Sequence, residues 1–186
     1  MEVAAQPIEE PSDTELIRRW QSGEGLAASK LVERHAPAVA RFAATSGQRD
    51  SVDEVVQDTF VRAFAAIDSF RGESAFRTWL FTIARRLILD RRRSEHRSRN
   101  VSSVEEGDAV TQFDALDSMV ADESLMRVRR ALGSLSPKQR EIFTLRVEQG
   151  LSYKEIAEIS GSTEGAARVH YHNAMRAVKE FLNVDE

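Results

Sequence analysis

Between Val52 and Ile67 the residues Val52, Val55, Val56, Thr59, Phe60, Ala63, Phe64 and Ile67 recur every three or four positions. That period lines them along one stripe of an α-helix and cannot place them on one face of a strand. Ser51 and Glu54 at its start have the spacing of a capping box, in which the serine oxygen accepts an orphan backbone N–H and the carboxylate reaches back. The opposite face carries Asp53, Glu54, Gln57 and Asp58. Other periodic segments keep the same rhythm. Ser12 with Glu15 opens a helix bearing Leu16, Ile17 and Trp20, which ends near Ser22-Gly23. Leu26, Leu31, Val32, Val39, Phe42 and Ala43 mark a second, closed by Ser46-Gly47, with Pro37 expected to kink or break it. After the loop Asp68 to Ser74, Phe76, Leu80, Ile83, Ala84 and Leu87 predict a helix running on to Arg93, with Arg77, Thr78, Phe81, Arg85 and Arg86 outward. No segment alternates with period two, so the expected class is all-α.

Charge divides the chain. The net value of −4 over 186 residues conceals −5 in residues 1–70, +6 in 71–99, −7 in 100–123 and +2 in 124–186. Nine arginines against three carboxylates within 71–99 point to contact with a polyanion. The acidic, small-residue stretch at 97–121 loses periodicity and reads as a flexible linker. Four parts are therefore expected: a disordered N-terminus over 1–11, a helical domain over 12–96, the linker over 97–121, and a second small helical domain over 122–186. No apolar run approaches the ~20 residues that span a bilayer, and the acidic N-terminus lacks a signal-peptide core, so a cytoplasmic protein is expected. Zero cysteines exclude disulfides and thiolate metal sites, and His35, His96, His170 and His172 form no ligand cluster, so neither metal nor cofactor is expected. Without a nucleophile–base set or a Gly-rich phosphate loop, an enzyme has no support.

The second half is dense in helix punctuation. Leu125, Met126, Val128, Arg129 and Leu132 predict a helix that stops at Gly133. Ser136-Pro137 with Gln139 opens a helix closing by Gly150, Ser152 with Glu155 opens one closing at Gly161, and Ser162 or Thr163 opens a long one to about Leu182. A short helix, a glycine turn and a capped longer helix have the layout of a helix-turn-helix. Ala167, Tyr171, Ala174 and Val178 fall inward on the last helix, and Gly165, Val169, His172, Asn173 and Arg176 outward, with Arg168 at the flank. An exposed Asn suits adenine, Arg suits guanine or phosphate, and Val suits a thymine methyl. On this motif alone, a conventional regulator that binds duplex DNA by itself as a dimer is one reading.

Taken together, VDEVVQDTFVRAF, SFRGESAFRTWLFTIARRLILDRRR and LSPKQREIFTLRVEQGLSYKEIAEISGSTEGAARVHYHNAM resemble regions 2.2, 2.3 to 2.4 and 4 of the extracytoplasmic-function (ECF) sigma factors, a class of the sigma-70 family. The resemblance covers Asp13 to Leu182. It implies a region 2 domain and a region 4 helix-turn-helix domain with no domain between them, and the function of delivering core RNA polymerase to a two-part promoter and helping to melt it. It further implies that Asp53, Glu54, Gln57 and Asp58 grip the clamp helices of the largest polymerase subunit, and that region 4 meets the flap of the second-largest. Ser69, Phe70 and Arg71 in the loop, with Arg77, Phe81, Arg85, Arg86 and Arg92, would hold the minus-10 strand, Phe70 being either a base contact or core. Arg91 to Arg93 would meet duplex phosphate. Ser162, Thr163, Arg168, Val169, His172, Asn173 and Arg176 would read the minus-35 element. Control by an anti-sigma factor is implied as well. In one departure, His170, Asn173 and Met175 stand where family members commonly carry Lys or Arg.

Overall fold

The computed structural model describes residues 10–102 and 123–184; most of the expected N-terminal tail and of the expected linker lies outside the described residues. Eight α-helices follow in order: α1 (Asp13–Gln21), α2 (Gly25–Thr45), α3 (Val52–Ala65), α4 (Phe76–Ser102), α5 (Glu123–Gly133), α6 (Pro137–Val147), α7 (Tyr153–Ser160) and α8 (Glu164–Val184). There is no strand among the described residues.

Helix starts separate by the conformation of the serine that precedes them. Ser136 and Ser152 sit extended, at ψ 154° and 158°, and both form complete capping boxes, with Gln139 and Glu155. Ser12 is extended too and accepts from the Glu15 N–H, but the Glu15 carboxylate is taken by Arg18 and Arg19, so that box is half made. The expected box at Ser51 does not form. A single 3₁₀ turn at Arg49–Ser51 leaves Ser51 at ψ 24°, where its Oγ donates to Gln48 Oε1 instead.

Pro37 does not break α2, which runs unbroken past it. An interior proline forfeits one backbone bond and costs about 3 kcal/mol. Here the ring is on the exposed side, while His35, Ala38, Val39 and Phe42 around it are buried and held by the rest of the core. Leu26, by contrast, was expected in the apolar stripe and is 72% exposed. Helix α4 also outruns its expectation, continuing to Ser102 beyond the point where the linker was placed.

The first four helices pack around Leu16, Leu31, Val39, Phe42, Val55, Phe60, Leu80 and Phe81. Phe42 meets Phe81 edge to face, with ring centroids 5.2 Å apart. His35 is buried under Phe76, and its Nε2 lies 2.8 Å from Asp13 Oδ2, while Arg34 holds the other carboxylate oxygen at 2.7 Å. The N-terminus of α1 is thereby tied to the middle of α2. Burial raises the Asp13 pKa, but the bonds from His35 and Arg34 outweigh it and hold the carboxyl below the ordinary carboxylate value.

The two halves touch. Helix α4 packs on α7 and α2 on α6, and the buried side chains of the first half are continuous with Ile142, Leu145, Leu151, Ile156, Ile159 and Ala167 of the second. A smaller cluster of Ala131, Leu135, Ala174 and Val178 fastens α5 to α8.

Candidate partner and nucleic-acid surfaces

Helix α3 presents Asp53, Glu54 and Gln57 as exposed residues, with Asp58 half-buried beside them. Asp53 and Gln57 have no partner among the described residues, whereas Glu54 and Asp58 accept from Arg91 of α4 at 3.1 and 2.8 Å. Arg91, expected on DNA phosphate, is engaged within the chain: the acidic face of α3 and the basic face of α4 meet along an edge, and Arg91 closes it. The Asp58 bond is the main cause that strengthens the charged form of Arg91.

The loop after α3 begins with a 3₁₀ turn over Ile67–Ser69, in which Ser69 Oγ donates to the Ala66 carbonyl at 2.6 Å. Phe70 is half-buried, its ring 5.7 Å from Phe76 and 5.2 Å from Trp79, so one side belongs to an aromatic cluster at the edge of the core. Arg71 next to it is exposed.

Along α4 the expected minus-10 residues divide. Arg86 is exposed. Phe81 is fully buried against Phe42, which overturns its outward placement: an apolar ring at that turn of α4 gains more from the α2 contact than from the surface. Arg77 and Arg85 face the second half, as does Thr78, whose full burial overturns its expected outward position. Arg77 donates from Nη2 to the Gln149 carbonyl at 2.8 Å and to its Oε1 at 2.7 Å, Thr78 donates to Glu155 Oε1 at 3.1 Å, and Arg85 pairs with Glu141. Burial pulls the Arg77 guanidinium below its ordinary value, with Glu155 opposing and Arg41 adding to the effect. Arg92 donates to the Ser46 carbonyl at the end of α2. Glu141 and Gln149 were not identified as arginine partners from sequence, nor Glu155 as the partner of Thr78; Glu155 carried only a capping signal.

The helix-turn-helix is α7, a left-handed Gly161 at φ 62° and ψ 39°, and α8. Of the two possible caps of α8, Thr163 serves, its Oγ1 accepting from the Ala166 N–H at 3.2 Å, while Ser162 pairs with Ser160 at 2.7 Å. Ala167, Ala174 and Val178 are buried as expected, and Gly165, Arg168, Val169, His172 and Arg176 form one exposed face with Asn173 at its edge. Asn173 Oδ1 accepts from Arg176 at 3.4 Å. One contributor was missed: Tyr153 of α7 lies between two guanidiniums, those of Arg146 at 4.8 Å and Arg168 at 4.9 Å from its ring centre. It reads in the sequence only as an aromatic following a cap.

Two helical units, one with an arginine-lined helix and one with a helix-turn-helix, match known families in that order. Residues 31–98 match the family model for sigma-70 region 2, and residues 125–178 that for sigma-70 region 4. The protein is accordingly of the class of DNA-binding transcription initiation factors, without enzymatic chemistry of its own. It is 34% identical over 179 residues to the ECF RNA polymerase sigma-E factor of Escherichia coli strain K12, covering 91% of this chain and 94% of that protein. The sigma-E factor of Haemophilus influenzae is 32% identical over 180 residues, covering 92% and 95%. Among solved structures, CnrH in complex with the cytosolic domain of CnrY superposes with a TM-score of 0.70 at 30% identity, covering 95% of this chain and 100% of that one. RpoE of Bartonella quintana, in complex with the anti-sigma factor NepR, gives 0.68 at 31% identity, covering 85% and 98%. The chain belongs to the ECF sigma factors of the sigma-70 family.

Proposed function

We propose that the protein binds core RNA polymerase, brings it to promoters with minus-35 and minus-10 elements, and helps open the DNA at the second. The observation that carries this reading is the pairing, in one chain, of an exposed acid-amide row on α3 with two DNA-suited surfaces, the arginines of α4 and the outer face of α8. Asp53 and Gln57 suit arginines on partner helices, because unpaired acid and amide acceptors bind guanidinium by charge-assisted hydrogen bonds. Arg71 and Arg86, with the exposed side of Phe70, suit an unstacked strand. Ser162, Thr163, Arg168, Val169, His172, Asn173 and Arg176 suit the duplex major groove.

In the arrangement described here Arg77, Thr78 and Arg85 are occupied by α6, α7 and the turn between them. Minus-10 binding therefore requires the halves to part. An anti-sigma partner, such as the NepR that accompanies the related RpoE, would act by holding surfaces of this kind out of reach.

Reconstitution with core polymerase is the test. Initiation at a shared upstream sequence, absent with core enzyme alone, is the expected result. No promoter-specific initiation, together with tight binding of a palindromic duplex by the isolated protein, would establish a conventional regulator instead.

A further inference from the structure

At the seam between the halves, α2, α4 and α6 enclose a cavity of about 210 Å3. Four cationic side chains line it, Arg85, Arg92, Lys138 and Arg140, against one carboxylate, Glu141. That carboxylate is already committed to Arg85 and to Lys138. Arg92 and Arg140 have no carboxylate partner among the described residues. Arg92 holds the Ser46 carbonyl through Nη2, and Arg140 holds the carbonyls of Leu132, Gly133 and Leu135 through Nε and Nη2. Arg92 Nε and Nη1 and Arg140 Nη1 are left without a protein acceptor among the described residues. The two guanidiniums also repel: after burial, the charge of Arg92 is what lowers the Arg140 pKa. Like charges gathered at a partly desolvated seam, with donors to spare, are stabilised most by an anion that accepts from both.

We infer that this cavity is a binding site for a small phosphate-class oxyanion, which bridges Arg92 of the first half and Arg140 of the second and so holds the halves closed. The volume admits inorganic phosphate or pyrophosphate and is below the ~300–1,000 Å3 of sites for drug-sized ligands. Guanidinium geometry favours such oxyanions, since its fork matches two oxygens of one group. An anion bound only when both arginines are present couples occupancy to closure, because a ligand shifts an equilibrium by its differential affinity for the two states.

The test uses the full chain at constant ionic strength, titrated with inorganic pyrophosphate by calorimetry. The absence of native cysteines allows a donor–acceptor dye pair at Lys30→Cys and Lys179→Cys to report closure in the same titration. Saturable binding at one site per chain is expected, with rising energy transfer. Arg92→Gln and Arg140→Gln should each weaken it at least tenfold, and Arg62→Gln, on the exposed face of α3, should leave it unchanged. Arg140 also holds three carbonyls, so Arg92→Gln, with circular dichroism to verify helicity, is decisive if Arg140→Gln unfolds. Displacement of pyrophosphate by a single-stranded oligonucleotide would assign the same site to a nucleic-acid phosphate. The absence of saturable binding, or equal binding by Arg92→Gln and wild type, overturns the site. Binding without a rise in energy transfer overturns its role in closure.

Discussion

Arg77 Nη2 lies 2.7 Å from Gln149 Oε1, so a guanidinium suited to a DNA strand is held by a glutamine 72 positions later in the chain. The contact is incomplete: Arg77 Nε and Gln149 Nε2 are both buried without a partner. A buried donor left unsatisfied costs about 1–3 kcal/mol, so this part of the seam is poised to open. The neighbouring pair Arg85–Glu141 is better matched, and Glu141→Gln removes its charge with little change of shape. That substitution is expected to weaken the closed arrangement by about 1–3 kcal/mol, read as lower energy transfer between dyes on the two halves and a larger radius of gyration.

Asp53→Lys with Gln57→Lys should abolish co-purification with core polymerase while leaving the melting temperature within a few degrees of wild type. These two positions isolate the proposed polymerase contact because neither has a partner within the described residues. Asp58→Lys is a poorer probe, since it also breaks the 2.8 Å pair with Arg91. Retained association in the double variant would remove α3 from the interface.

At the helix-turn-helix, Arg168→Ala should cost about 1–3 kcal/mol in minus-35 binding, with a shallower salt dependence. Tyr153→Leu should reproduce part of this, about 0.5–1 kcal/mol, by removing the ring on which Arg168 rests. Tyr153→Phe keeps the ring face and should bind as wild type. Fluorescence anisotropy with a labelled minus-35 duplex distinguishes the three.

What the sequence revealed and what it withheld have a common physical origin. Helix periodicity and caps are local, so α3, the Ser136 and Ser152 boxes and the inward face of α8 could be read directly. The Ser51 box failed on a backbone angle set by the preceding 3₁₀ turn, and Pro37 was overridden by tertiary packing on both sides. The arginines of α4 were legible as charge, but Glu141 and Gln149, the partners of Arg85 and Arg77, lie 56 and 72 positions away, and no local pattern announces them. Phe81 fell on the outer side of a helical wheel and is core because α2 covers it.

Gly161 takes φ 62°, where a Cβ is strained, although nothing within 4 Å would meet one. Gly161→Ala should therefore cost about 1–2 kcal/mol through backbone conformation alone. Gly161→Asn should cost less, because Asn tolerates this region. Chemical denaturation of the full chain, compared across the two variants, measures the difference; equal losses would mean that side-chain contact, and not the left-handed turn, selects glycine here.

Asp13 joins α1 to α2 through His35 and Arg34, and its pKa lies below the reference value of 3.8. Burial alone would raise it; the two hydrogen bonds reverse the sign. A carboxyl whose folded pKa is depressed contributes stability that is present above its unfolded pKa and lost as pH falls through the folded one. Asp13→Asn should accordingly be less stable than wild type at neutral pH, by an amount nearly constant down to about pH 4, the range where unfolded aspartates titrate. Below that the two curves should converge as the wild-type carboxylate takes up its proton. Urea unfolding of both proteins at a series of pH values follows the gap directly. A gap that widened under acid would show that Asp13 is stabilised in its protonated form, contrary to the pairing with Arg34 and His35.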